Sequence, residues 1–117
     1  PEGNHVINGY QIQMRIFANT LSKKDLQSSD AIYLDWEQLT LPLIFRNWQE
    51  GDSFYPLGMK HPKKLSDFFV DEKLARLEKA RTLIMESGGQ IAWIVGHRLD
   101  DRFKVTDETK QVLEISI

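Results

Sequence analysis

The side chains of this 117-residue chain that could do chemistry fall into four sets: three histidines, neighbouring carboxylates, scattered serines and a lysine-rich stretch. A helical zinc site needs ligands three or four residues apart, and none of His5, His61 and His97 has a second histidine at that spacing. They are read as surface histidines. Asp100-Asp101, or Asp35 with Glu37, could divide acid and base roles in hydrolysis, but adjacent carboxylates at turns are expected to be solvated. Ser53, Ser66 and Ser87 lack a nucleophile elbow or a paired base in sequence.

Ser87-Gly88-Gly89 opens like a phosphate-cradling SGGxDS loop, but Gln90 and Ile91 follow in place of the continuation, so a hairpin turn accounts for it better. The most informative stretch is MKHPKKLSDFF, in which Lys60, Lys63 and Lys64 cluster with His61 before an expected helix. Amides at a helix start and nearby ammonium groups suit a phosphate, whereas the plainer reading is a solvated lysine loop. Trp48, Phe54 and Tyr55 lie near in sequence, and aromatic faces can stack on unpaired bases. Of these, Trp48 is the candidate for exposure. Arg46 stands at the head of the same stretch. His97, Arg98, Arg102 and Lys104 form a second basic group, partly cancelled by Asp100 and Asp101, and salt bridging inside that loop explains it equally well.

The elements that must position these groups follow from periodicity. Tyr10, Ile12, Met14 and Ile16 alternate with polar residues as in a half-buried strand, and residues 31–36 and 40–46 read as two more. Pro42 lacks a backbone donor, so its strand begins there or lies at an edge. Ser22 to Asp30 reads as a polar loop, and Glu50-Gly51-Asp52 as a turn. Leu65, Phe68 and Phe69 share a helix face, and Asp71 with Glu72 can cap a second helix carrying Leu74 and Leu77. Residues 82–85 and 91–96 flank a hairpin, IAWIV being apolar on both faces as in a central strand. TDETK then turns into a last strand with Leu113, Ile115 and Ile117 on one face. The expected class is α+β: a mostly antiparallel sheet or small barrel with short inserted helices.

Composition sets the bounds. With 41% hydrophobic residues the chain supports one compact domain. The absence of cysteine excludes disulfides and thiolate metal sites and fits a reducing cytoplasm. No apolar run suggests a membrane span or signal peptide, and a first residue of Pro1 suits an excised fragment or a start processed after methionine. A net charge of -2 argues against coating nucleic acid by bulk electrostatics, so any RNA contact must be local.

Arg46 to Lys60, RNWQEGDSFYPLGMK, with KKLSDFF and WIVGHRLDDRFKVT, lies in a collinear stretch from about Ile32 to Ile115 that resembles the C-terminal domain of tRNA(Ile)-lysidine synthase. His61-Pro62 stands where the family usually has a glycine, which stiffens the loop. Residues 1–31 match no motif and are read as an extension or the end of a preceding domain. The resemblance implies a parent ligase whose N-terminal domain, in the same chain, adenylates the wobble cytidine of tRNA(Ile) with a CAU anticodon using ATP. Lysine then displaces AMP to give lysidine.

It implies for the present domain a tRNA-binding role, with no catalytic centre, cofactor or metal of its own, ATP being a substrate of the parent. Arg46, Trp48, Lys60, Lys63, Lys64, Arg98, Arg102 and Lys104 are the candidate RNA contacts. A domain of this length has a radius of gyration of about 13 Å, enough for one helical region of a tRNA. Tethering to a second tRNA-holding domain would raise effective concentration. The alternative is a protein-interaction or interdomain-docking module without RNA contact; the oligomeric state stays open, a homodimer included.

Overall fold

The computed structural model describes residues 2–7, 10–19 and 31–116. Contacts divide the chain into two compact units, residues 1–39 with 103–117, and Thr40–Arg102. The first is a four-stranded antiparallel sheet of β1 (Gly3–Ile7), β2 (Tyr10–Ala18), β3 (Ala31–Asp35) and β10 (Gln111–Ser116), in the order β1-β2-β10-β3. Alternation works as expected in β2, where Ile12 and Met14 are buried and Gln11, Gln13 and Arg15 exposed. On β10, Val112, Leu113 and Ile115 are buried. Ile117 and the polar loop expected at Ser22 to Asp30 lie outside the described residues.

The second unit contains β4 (Leu43–Asn47), β5 (Ser53–Phe54), β6 (Lys63–Lys64), α1 (Leu65–Asp71), α2 (Arg76–Ala80), β7 (Leu83–Ser87), β8 (Gln90–Ile94) and β9 (Arg98–Leu99). Its main sheet runs β4-β7-β8-β9, and β5 pairs with β6 as a two-stranded ribbon. The sheets are antiparallel, as expected, and no closed barrel is formed among the described residues. Pro42 precedes β4, which is an edge strand. Residues 91–95 are all buried and β8 is an inner strand, as its two apolar faces require. Gly88 and Gly89, at φ 57° and 81°, make the two-residue connection between β7 and β8. Two successive positive φ values match the twist of a tight hairpin, which is why glycines stand there and a phosphate loop does not.

Several boundaries differ from the periodicity. Trp36 does not extend β3: Asp35 accepts the Glu37 amide at 3.0 Å and turns residues 36–38 into a 3-10 helix. Asp71 and Glu72 do not cap α2, because α1 runs through Asp71 and α2 starts only at Arg76. Between them Lys73 sits at φ 56°, with its amide on the Val70 carbonyl and the Leu74 amide on that of Phe69. This is the left-handed helix ending that glycine ordinarily supplies. β1 was not anticipated, since GNHVI shows no alternation.

The core of the Thr40–Arg102 unit is Phe54, Leu65, Phe68, Phe69, Ile84, Ile91 and Ile94, with Trp48 and Leu74 packed against it. Edge-to-face contacts link Phe54 to Phe68 at 5.2 Å, Phe68 to Phe69 at 5.8 Å and Phe69 to Trp48 at 5.0 Å between ring centroids. Phe69→Ala should therefore cost about 3–5 kcal/mol in urea unfolding. Leu77→Ala, at a side chain 70% exposed, should change stability by less than about 0.5 kcal/mol.

Candidate nucleic-acid interface

The loop between β5 and β6 carries Lys60, and two carboxylates hold its shape. Asp100 accepts the Tyr55 amide at 2.8 Å, the Arg102 amide at 2.8 Å and two guanidinium N–H groups of Arg102 at 3.0 Å each. Asp101 accepts the Gly58 amide at 3.0 Å and donates its own amide to the Tyr55 carbonyl at 2.7 Å, while the Leu57 amide reaches the Leu99 carbonyl at 3.0 Å. The Asp100-Asp101 pair is thus not the solvated pair expected: Asp100 is 0% exposed and Asp101 7%. Backbone donors make that burial tolerable. Asp35, 6% exposed, is likewise engaged, by the Glu37 amide and by Thr109 Oγ1 at 2.9 Å.

Arg46 lies on β4 at the opposite side of the sheet order from β9. Its guanidinium forms two 3.0 Å bonds to the carboxylate of Asp52, a 2.8 Å bond to Glu86 and a 3.0 Å bond to the Asn47 carbonyl. The hydrogen bonds that Arg46 donates to Asp52, opposed by burial and joined by the bond to Glu86, raise the Arg46 pKa further above its already high value. Burial works against the charge of Asp52, but the bonds from Arg46 and from the Gln49 amide outweigh it and hold that carboxylate below its ordinary range. Arg102 is also tied inward: it stacks over Tyr55 at 4.4 Å, and the bond to Asp100, against burial, raises its pKa. Arg102 thus braces the loop, and Arg46 braces the turn that leads into β5.

The other candidates divide by exposure and partner. Lys60 pairs with Asp101 at 3.2 Å, yet its side chain is 76% exposed. Lys63 pairs with Asp71. Lys64 is exposed and has no ion-pair partner among the described residues. The lysines do not frame an open helix start: α1 has seven residues, Lys64 makes no side-chain cap, and the Leu65 amide is taken by the Asp52 carbonyl at 3.0 Å. Arg98 reaches Glu72 at 3.7 Å and lies 5.8 Å from the Phe68 ring centroid. Trp48 is half-buried, its Nε1–H donating to the Lys79 carbonyl at 2.9 Å. Lys104 belongs to the unit of residues 1–39 with 103–117, where it bridges to Leu34.

Lys60, Lys63, Lys64, Arg98 and Trp48 therefore share the Thr40–Arg102 unit with the internally bonded Arg46 and Arg102. The reading from sequence passed over Lys73, Arg76 and Arg81, which are exposed, and Lys79, which lies 5.3 Å over the Trp48 ring. Among the described residues none of these four has a carboxylate partner. The signal was present in KLARLEKAR, four cations against one glutamate. Among the described residues no group of three or more potential metal ligands is gathered, and no helix is long and apolar enough to cross a membrane.

Residues 40–116 match the family model of the TilS substrate C-terminal domain. The chain is 51% identical over 84 residues to a tRNA(Ile)-lysidine synthase of Parabacteroides distasonis, covering 72% of this chain and 19% of that protein. It is 36% identical over 117 residues to that of Clostridium tetani, covering 98% of this chain and 25% of that protein. The chain thus spans a quarter or less of the length of these two relatives. A crystal structure of a TilS C-terminal domain superposes with a TM-score of 0.76 at 26% identity, covering 95% of this chain and 85% of that one. An N-terminal fragment of the phenylalanyl-tRNA synthetase β-subunit from Pyrococcus horikoshii shares the fold at 17% identity and a TM-score of 0.62, over 74% of this chain and 28% of that one.

The Asp52 carboxylate sets an acid limit on the Arg46 brace. Its folded pKa lies below the unfolded one, so its stabilisation is complete above the ordinary aspartate value of about 3.9. It fades as pH falls below that point and is gone once pH passes through the lower, folded value. Between pH 6 and pH 3 the melting temperature of the native chain should fall more steeply than that of Asp52→Asn. Equal slopes would remove Asp52 as the cause.

Proposed function

As the chain belongs to the family of tRNA(Ile)-lysidine synthase C-terminal domains, we propose that it grips tRNA for a longer enzyme that makes lysidine. In this reading the parent ligase uses ATP and lysine on the wobble cytidine of tRNA(Ile) with a CAU anticodon. The chemistry resides in a catalytic domain N-terminal to this one, and the present unit contributes affinity and discrimination. The observation that carries the reading is the distribution of charge. In a chain of net charge -2, Lys64, Lys73, Arg76 and Arg81 are exposed and lack carboxylate partners among the described residues, and the stretch 73–81 sets four cations against Glu78 alone.

Lys60 can join them by exchanging one carboxylate contact for a phosphate, because its own side chain is 76% exposed and the buried Asp101 keeps the Gly58 amide. Lys63 and Arg98 can likewise exchange one carboxylate contact each. Arg102 serves by shaping the loop and Arg46 by holding the turn before β5, since each would have to abandon a two-bond carboxylate contact to reach RNA. Trp48 presents only part of its ring. A second reading, docking of this unit on another protein surface, draws on Leu57 and Met59, each 43% exposed beside Lys60.

Replacing Lys60, Lys63 and Lys64 together with alanine should weaken tRNA binding by at least about tenfold near physiological salt and reduce the salt dependence of that affinity. In the complete enzyme the same triple variant should raise the KM for tRNA and leave that for ATP unchanged. Unaltered tRNA affinity and salt slope, with loss of binding on Leu57→Ser/Met59→Ser to a protein partner, would favour the docking reading.

A further inference from the structure

A surface groove of about 390 Å³ is lined by Trp48, Leu74, Arg76, Lys79 and Ala80. Its walls come from the residue after β4, the turn that ends α1, and α2. The indole of Trp48 is fixed in it at two points. Nε1–H donates to the Lys79 carbonyl near the end of α2 at 2.9 Å, and Phe69 meets the ring edge-on at 5.0 Å between centroids. The indole cannot swing inward to complete its burial without giving up that bond, so a half-exposed aromatic wall is held open beside Leu74 and Ala80. Above it stand the Lys79 ammonium, 5.3 Å from the ring centroid, and the exposed Arg76.

We propose that this groove takes one unpaired nucleotide of a bound RNA, its base or ribose against Trp48, Leu74 and Ala80 and its phosphate between Arg76 and Lys79. The inference rests on the tRNA-binding reading and narrows it to a single-stranded element. Aromatic and aliphatic walls suit the flat, weakly hydrated part of a nucleotide, and a guanidinium with an ammonium suits the charged part. A duplex keeps its bases stacked inside and presents only sugar and phosphate, so a groove with an apolar wall favours an end, loop or bulge. Charge complementarity selects a nucleotide over an apolar peptide. Lys73 and Arg81 flank the two lining cations in sequence, and Glu78 is the single carboxylate of the segment 73–81. The groove volume falls within the range typical of small-molecule sites.

The 117-residue chain has three tryptophans, so its indole N–H resonances report the groove directly, with Trp48→Phe identifying the relevant one. A single-stranded RNA trinucleotide should move the Trp48 resonance and leave that of Trp93, 2% exposed, in place. A blunt RNA duplex should not move it. Arg76→Gln/Lys79→Gln, which keeps most of each side chain, should weaken the trinucleotide about tenfold, while Lys110→Gln, an exposed lysine of the other unit, should leave it unchanged. A stationary Trp48 resonance at millimolar trinucleotide, or an equal shift from an acidic peptide, overturns the proposal. If intact tRNA still binds in that case, only the groove assignment fails; if tRNA does not bind either, the tRNA-binding reading fails with it.

Discussion

Asp100 is a carboxylate withdrawn completely from water, which is tolerable because four N–H groups converge on it, two of them from the backbone at Tyr55 and Arg102. The Tyr55 amide belongs to the loop after β5, so the bond sets where that loop leaves the sheet. Asp101 then receives the Gly58 amide three residues later, where φ is 90° and the chain turns back. With both ends of Tyr55 to Gly58 fixed, Phe54 is driven fully into the core and meets Phe68. Arg102 closes the arrangement by lying over Tyr55 while it neutralises Asp100. Loop shape and aromatic core are thus consequences of one buried charge and its donors.

The same economy governs the rest of the charge. Arg46 is consumed by Asp52 and Glu86, and Arg102 by Asp100, each with geometry a phosphate would have to match twice over. Removing the strongest hydrogen-bond donors from the surface leaves lysines and the arginines of the α2 region to meet solvent. The lysines are flexible point charges and the arginines exposed guanidinium forks, and pairing of either is weak in water, so they can be exchanged with a partner on docking. A protein of net charge -2 can therefore present a locally cationic surface without becoming a general polyanion binder.

Strands were legible in the sequence where burial imposes period two: Ile12 and Met14 on β2, and Leu113 and Ile115 on β10, where Val112 on the other face is buried as well. The Gly88-Gly89 connection was legible because two successive positive φ values leave few residues to choose from. β1 was not, since Gly3, Asn4 and His5 join the sheet through backbone pairing with β2 and Val6 remains 73% exposed. The break between α1 and α2 was legible but its position was not, because Lys73 occupies a left-handed position that normally advertises itself as glycine. At the site, sequence disclosed which residues carry charge but not which charges cancel. Arg102 with Asp100 are two apart and could be suspected; Arg46 with Glu86, and Lys60 with Asp101, are some forty residues apart and exist only through the register of β4 on β7 and the path of the loop.

That distinction bears on how a substrate-binding surface of this kind could serve selectivity. Rigid, internally bonded arginines keep a loop in one shape whether or not RNA is present, so little ordering would be required on contact. Exposed lysines supply an attraction that is local, salt-sensitive and readily reversed. If such a surface is tethered to a second tRNA-holding domain, its weak affinity acts at high effective concentration while the shared substrate is aligned. A tRNA that satisfies only one of the two surfaces loses that advantage. Discrimination would then arise from spacing between contacts, and weak affinity at this surface would serve turnover, since tight binding here would hold product as firmly as substrate.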